Sequence, residues 1–218
     1  WAEVGMAASL GSRDGCASAL PEDLGTGKTV AHPFLERVCT ISDDEFVVTG
    51  ILTPERHWVL DEHRVVDAGA LLPGTSLLEM SRAAVALVCE GPLELSDFTF
   101  LKPFAVPDGT ARELRIHVRR RAGAGWRVRL LGRPVQPGPV GWTEHAHGLV
   151  RAHALPPLRA SLDLGAIAER CAPARCGAQD QPMMAFGPRW NTVSQALANA
   201  QGPEALLQLD LPEAFHGE

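Results

Sequence analysis

The sequence predicts an α+β fold in which an antiparallel sheet wraps around one long buried helix. Residues Leu77 to Val88 are apolar on almost every side, which is typical of a helix enclosed by other elements. Segments with strand character follow this helix, and several of them alternate apolar with polar residues. The helix and one sheet face both need apolar cover, and packing one on the other covers both.

Two strands are predicted before the helix. The segment ERVCTISDDEFVVTGILT has strand-forming runs on either side of Asp43 and Asp44, a polar pair typical of a turn. The helix is expected to start near Ser76, because Ser76 and Glu79 form a capping-box pattern just after the Pro73-Gly74 pair.

The remaining elements divide the chain into four parts. Residues 1–31 are rich in Gly, Ser, Ala and Asp and are predicted to be a linker. Residues 32–154 form a first unit, whose later strands are LELSDFTFLKPFAV, RELRIHVRR, GWRVRLLG and WTEHAHGLVRAHA. Residues 155–162 are a connector. Residues 163–218 begin a second unit, with LDLGAIAERC as a helix, RWNTVSQALANA as a strand or helix, and EALLQLDL as a strand.

Composition excludes several classes of function. The formal net charge of -6 gives no indication of a nucleic-acid partner. No apolar run reaches the roughly 18 residues needed to span a membrane, and no signal peptide is recognisable. The 5 cysteines are scattered, which predicts a reduced, cytoplasmic compartment.

A metal site is the weakest of the alternatives. His145 and His147 would share one strand face, and Cys171 and Cys176 follow later in the chain. This spacing fits no ordinary zinc pattern, so no metal site is predicted.

The stretch DEHRVVDAGALLPGTSLLEM, from Asp61 to Met80, resembles the active-site motif of dehydratase domains of modular type I polyketide synthases. Three further segments agree with this resemblance: HPFLERV is similar to the domain's opening strand, LSDFTFLKPFAV to the strand after the helix, and FGPRW to the family's Y-G-P-x-F motif, with Phe186 replacing Tyr. The common spacing is H-x-x-x-G-x-x-x-x-P. Here Pro73 lies ten residues after His63, position 67 is Asp, and the glycine falls at Gly69.

The resemblance implies a double hotdog fold, in which each of two sheets wraps around its own helix. It implies removal of water from a 3-hydroxyacyl group carried on the phosphopantetheine of an acyl carrier protein, with no other cofactor. His63 would be the general base. The implied substrate-binding residues are Gly69, Leu72, Pro73, Gly74, Phe186, Gly187 and Pro188.

The resemblance also implies partners and a missing group. A homodimer is expected, next to other polyketide synthase domains, and WAEVGMAASL is similar to the end of a ketoreductase. The family's general acid is an Asp in an H-P-A-L-x-D context, and no such context occurs before Glu218. Neither Asp180 nor Asp210 matches it. The second hotdog is therefore expected to be incomplete in this sequence.

Three alternatives remain open from the sequence. The site could shift a double bond or close an oxygen ring, since His63 would serve those reactions too. The chain could be a non-catalytic acyl-carrier or scaffold module that lacks its acid. His63, beside Asp61, Glu62 and Arg64, could also be an ion-pair member on the surface.

Overall fold

The computed structural model describes residues 24–138, 140–154, 161–176 and 182–215. The first half contains, in chain order, β1 (Lys28–Thr29), β2 (Arg37–Ser42), β3 (Glu45–Leu52), α1 (Trp58–Asp61), β4 (His63–Val65), β5 (Gly69–Leu71), α2 (Gly74–Ala86), β6 (Leu93–Phe100), β7 (Ala105–Val106), β8 (Arg112–Arg121), β9 (Gly125–Pro134) and β10 (Thr143–Ala152). The second half contains α3 (Leu164–Glu169), β11 (Ala172–Pro173), β12 (Met184–Phe186), β13 (Val193–Ala198), β14 (Ala205–Leu209) and 3-10 turns at Pro188–Trp190 and Glu213–Phe215.

The largest layer is a seven-stranded antiparallel sheet in the order β1-β2-β3-β8-β9-β10-β6. Alternate residues of β8, among them Leu114, Ile116 and Val118, belong to the same buried cluster as Met80 and Val85 of α2. The prediction of a sheet wrapped around a central helix is therefore confirmed for the first unit. The turn at Asp43 and Asp44 joins β2 to β3 as predicted.

The helix α2 is buried on one face only, which corrects the expectation of an all-round apolar helix. Its buried residues are Leu77, Met80, Ser81, Ala84 and Val85. The helix ends at Ala86, and the following Leu87 and Val88 are 43% and 54% exposed. Sequence apolarity overestimated burial here because the helix stops before the chain turns at Gly91, whose φ is +90°.

The capping-box prediction is wrong. Pro73 occupies the N-cap with an extended backbone, and no side chain caps the helix. Ser76 is already inside the first turn, where its N–H donates to the Pro73 carbonyl over 3.0 Å. The Glu79 carboxylate instead accepts a hydrogen bond from Arg82 over 2.6 Å. The helix begins at Gly74, two residues before Ser76, so Ser76 does not occupy the cap position.

The predicted unit boundaries need two corrections. The linker prediction for residues 1–31 falls mostly on residues 1–23, outside the described part, but Lys28–Thr29 already forms β1 of the main sheet. The segment HPFLERV opens with a bend over residues 32–34, and its strand starts only at Arg37. Of the predicted connector, residues 155–160 also lie outside the described part.

Two smaller sheets contain strands of the second half, and one of them joins it to the first half. One is a four-stranded sheet in the order β12-β4-β5-β7, in which β12 of the second half pairs with β4 of the first. The other is a three-stranded sheet in the order β11-β13-β14, against which α3 packs. The segment predicted as strand or helix is the strand β13. In the described residues, no helix combines the length and apolar character needed to cross a membrane.

Candidate active site

His63 is the first residue of β4 and follows directly after the short helix α1 and Glu62. In the antiparallel ladder of β12 with β4, Phe186 is the residue opposite His63. Their ring centroids are 5.4 Å apart in an edge-on arrangement. The register of this ladder brings the histidine motif and the FGPRW motif together, although 123 positions separate His63 from Phe186 in the chain.

A hydrogen bond fixes the tautomer of His63. Its Nδ1 atom lies 2.6 Å from the carbonyl oxygen of Leu71. A carbonyl oxygen only accepts hydrogen bonds, so Nδ1 must carry the proton and donate it. In the neutral ring, Nε2 then holds the lone pair and is available to accept a proton.

The charged neighbours of His63 pair with other groups. The Arg64 guanidinium donates to Asp61 and to Asp108, each over 2.8 Å. The hydrogen bond to Asp61, followed by the one to Asp108, raises the pKa of Arg64 above its usual range. Glu62 is paired with Arg189. No carboxylate of the described residues is within ion-pair distance of the His63 ring, so the surface ion-pair interpretation of His63 is wrong.

His63 opens onto an apolar groove of about 560 Å³. The groove is lined by His63, Leu71, Leu72, Pro73, Gly74, Thr75, Leu78, Phe100, Phe186 and Trp190. Five of the predicted site residues lie on it: His63, Leu72, Pro73, Gly74 and Phe186. An apolar wall with few polar groups is typical of a site that binds an acyl chain and excludes water.

Gly69 lies outside the groove lining. It pairs with Val65 across the β4–β5 hairpin, and its φ is +88°. No atom lies within 4 Å of an ideal Cβ at Gly69, so this glycine serves the backbone conformation and not a close approach of another group. Position 67, where the commoner spacing has its glycine, is Asp67 with φ of 63°. Both positions adopt the left-handed conformation, which Asp tolerates better than most residues.

Gly187 and Pro188 also lie outside the lining, but they shape it. The Gly187 N–H donates to the Glu62 carbonyl over 2.9 Å. Pro188 is exposed and starts the 3-10 turn that ends at Trp190. The turn places the Trp190 ring 5.3 Å from the His63 ring and 5.5 Å from the Phe186 ring. Sequence reasoning missed Trp190, although its position as the last aromatic of FGPRW was an available signal.

The N-terminus of α2 borders the same groove. The first N–H groups of a helix have no acceptor within that helix, and they carry partial positive charge. Gly74 and Thr75 are the first two residues of α2 and both line the groove. These N–H groups can stabilise negative charge that develops on a bound carbonyl oxygen.

Among the described residues, no acidic side chain lines the groove with His63. Asp210 is exposed, accepts a hydrogen bond from Gln208 over 3.0 Å, and does not line the groove. Hydrogen bonds from Ser194 and Gln208 lower the pKa of Asp210, which makes it a weaker proton source at neutral pH. Asp180 lies outside the described residues.

The described residues contain no cluster of three or more His, Cys, Asp or Glu side chains able to hold a metal ion. His145 is 1% exposed, and its Nδ1 donates to the Lys102 carbonyl over 3.1 Å. Neither this histidine nor His147 belongs to such a cluster.

Comparisons with known proteins agree with this geometry. Residues 32–133 match the sequence model of the polyketide synthase dehydratase domain. The polyketide synthase GfsE of Streptomyces halstedii is 30% identical over 142 residues, which is 63% of this chain and 4% of that protein. The chain thus corresponds to a small fraction of this relative.

Solved structures share the fold. The dehydratase domain from the CurK module of the curacin polyketide synthase superposes with a TM-score of 0.72 at 19% identity, covering 84% of this chain and 65% of that one. The dehydratase domain from the terminal module of the rifamycin polyketide synthase gives 0.72 at 23% identity, covering 84% and 66%. The CurF dehydratase domain gives 0.74 at 18% identity, covering 86% and 69%.

The fold and groove define a hotdog-type domain with a histidine at the edge of an apolar cavity. Within it, residues 32–133 are similar to the polyketide synthase dehydratase domain.

Proposed function

We propose that this chain carries the general base of a dehydratase that removes water from a 3-hydroxyacyl thioester in polyketide synthesis. The observation that carries the proposal is the hydrogen bond from His63 Nδ1 to the Leu71 carbonyl, which leaves Nε2 as the proton acceptor beside an apolar groove. Inactive CurK dehydratase mutants with His replaced by Phe and with Asp replaced by Asn support a histidine-dependent reaction in this fold.

His63 and the N–H groups at the start of α2 have separate roles in the proposed reaction. His63 Nε2 takes the proton from C2 of the acyl chain, and the electrons of that C–H bond become the new C2–C3 double bond. The C3–O bond breaks, and the oxygen leaves as water with a proton from an acid that is not among the residues lining the groove. Charge that builds on the thioester oxygen is stabilised by the N–H groups at the start of α2.

The groove suits a substrate delivered on a flexible arm. It is open, apolar and about 560 Å³, so an acyl chain can enter lengthwise while the thioester stays near His63. We propose that the acyl group arrives on the phosphopantetheine arm of an acyl carrier protein, with neighbouring polyketide synthase domains supplying the 3-hydroxyl. A homodimer, which the resemblance implies, stays a prediction.

The proposal is tested with a 3-hydroxyacyl thioester and an intact-mass time course. No acidic side chain of the described residues lines the groove, so the chain should convert the substrate only slowly to a product lighter by one water. His63→Ala should abolish that slow conversion. His153→Ala is the matched control, because His153 is partly exposed, pairs with Glu94 and lies outside the groove. Equal water loss in the parent and in His63→Ala would overturn the proposal, as would a folded parent chain that neither releases water nor exchanges hydrogen for deuterium at C2 of the thioester.

A further inference from the structure

Glu62, the residue before His63, is buried and joins the two halves of the candidate site. Its side chain is 9% exposed, and that of its partner Arg189 is 21% exposed. The Glu62 carboxylate accepts a hydrogen bond from the Arg189 backbone N–H over 2.7 Å and a second from the Arg189 guanidinium. A buried ion pair stays favourable only when further hydrogen bonds satisfy its charges. In this pair, the backbone N–H of Arg189 supplies one such additional hydrogen bond to the Glu62 carboxylate.

Gly187 provides the space for this contact. An ideal Cβ at Gly187 would lie 2.2 Å from Cγ of Glu62, so any side chain at 187 would displace the carboxylate. The Arg189 guanidinium also lies over the Trp58 ring at 5.3 Å and over the Phe215 ring at 4.2 Å. Arg189 is therefore held by a carboxylate and by two aromatic faces.

The contact determines what lies next to the imidazole. Trp190 follows Arg189 directly, and its ring is 5.3 Å from the His63 ring. The Nε1 atom of Trp190 is enclosed and has no hydrogen-bond partner among the described residues. The indole is therefore held by ring contacts with Phe186 and Trp58 and by its backbone link to Arg189, and not by a hydrogen bond at Nε1.

We propose that Glu62 and Arg189 are positioning residues that hold the Trp190 ring against His63 and so keep the imidazole directed at the groove. The positioning stands on geometry alone. Its catalytic consequence rests on the proposed function.

The contact has a spectroscopic signature, because a protonated imidazole quenches the fluorescence of an indole that it touches. The emission of the intact chain should therefore drop when the solution is made acidic enough to protonate the imidazole beside Trp190. His63→Gln and Trp190→Phe should each remove this drop, which assigns it to that ring pair.

Glu62→Gln and Arg189→Met should each reduce the drop by at least half. Because either change leaves a charge or an amide buried without its partner, either variant could unfold. The double variant Glu62→Gln/Arg189→Met leaves no unpaired charge, and it should fold by circular dichroism and also lack the drop. Glu79→Gln, which breaks an exposed pair with Arg82 on α2, is the matched control and should keep the drop. An undiminished drop in the folded single or double variants would overturn the proposal.

The dehydration assay separates this inference from the proposed function. If the positioning and the proposed function are both correct, Glu62→Gln lowers kcat about tenfold or more with a smaller change in KM, as expected when a base is slightly misplaced. If the emission drop behaves as predicted but the parent chain neither releases water nor exchanges hydrogen for deuterium at C2 of the thioester, the positioning holds and the proposed function fails. If the parent dehydrates and Glu62→Gln keeps both its rate and its emission drop, the positioning fails.

Discussion

Phe186 lies directly opposite His63 across the ladder of β12 with β4, with the two rings 5.4 Å apart. The candidate site is therefore not contained in the first unit alone. A strand contributed from beyond residue 163 completes the aromatic wall of the groove, and Trp190 extends that wall.

Gly74 should limit the width of the groove. An ideal Cβ at Gly74 would lie 3.3 Å from the Phe100 ring, and Gly74 itself lines the groove beside His63. Gly74→Val should raise KM for a 3-hydroxyacyl thioester several-fold while changing kcat less, because the added methyl groups occupy the space of the acyl chain. Steady-state kinetics measure the effect.

Gly141→Val is the control for Gly74→Val, because an ideal Cβ at Gly141 meets no atom within 4 Å and the residue lies outside the groove. Equal KM values for the two variants would contradict the assignment of the groove as the substrate site.

Gly69 should matter for stability and not for binding. The φ of Gly69 is +88°, a left-handed conformation that is unfavourable for a residue with a side chain. Gly69→Ala should therefore lower the free energy of unfolding by about 1–2 kcal/mol. An ideal Cβ at Gly141 also meets no atom within 4 Å, but Gly141 has no positive φ. Gly141→Ala should therefore leave the free energy of unfolding almost unchanged. Urea unfolding measures both, and equal losses would argue against a conformational role for Gly69.

Stability should fall in mild acid because of His145. Burial is the main cause that lowers the pKa of His145, against the hydrogen bond to Lys102. As the pH falls through about 6.5, the unfolded chain takes up a proton that the folded chain refuses, so the free energy of unfolding decreases. Urea titrations at several pH values measure this decrease.

His145→Asn keeps a donor for the Lys102 carbonyl but cannot titrate, so it should reduce the decrease in stability. Burial also lowers the pKa of His32. Part of the decrease in stability at low pH should therefore persist in His145→Asn. The control His153→Asn alters a partly exposed histidine and should leave the decrease in place. The account of His145 fails if the parent and His145→Asn show the same pH dependence.

The pattern of apolar residues predicted most of the first unit. The alternation in RELRIHVRR and GWRVRLLG corresponds to β8 and β9, which pair along their whole lengths. The details that failed depend on tertiary context. Ser76 and Glu79 have the spacing of a cap, but Pro73 begins the helix earlier. The strand β1 is too short, at 2 residues, to leave a periodic signal.

The candidate site was predictable where a motif covers it. His63, Pro73 and Phe186 lie on the groove, as the resemblance implied. The Glu62–Arg189 pair was not predictable, because its members are 127 positions apart and each resembles an ordinary surface charge. Trp190 was missed for a related reason, since only the 3-10 turn after Gly187 directs its ring toward His63.

The central claim is that His63 Nε2 removes a proton from C2 of an acyl thioester, and deuterium exchange tests it most directly. A saturated acyl thioester without a 3-hydroxyl cannot lose water, so exchange at C2 in heavy water requires a base but no acid for a leaving group. We predict that the chain incorporates deuterium at C2 and that His63→Gln does not, as followed by mass spectrometry. Incorporation that is the same with and without His63, or absent from the folded parent chain, would contradict the account.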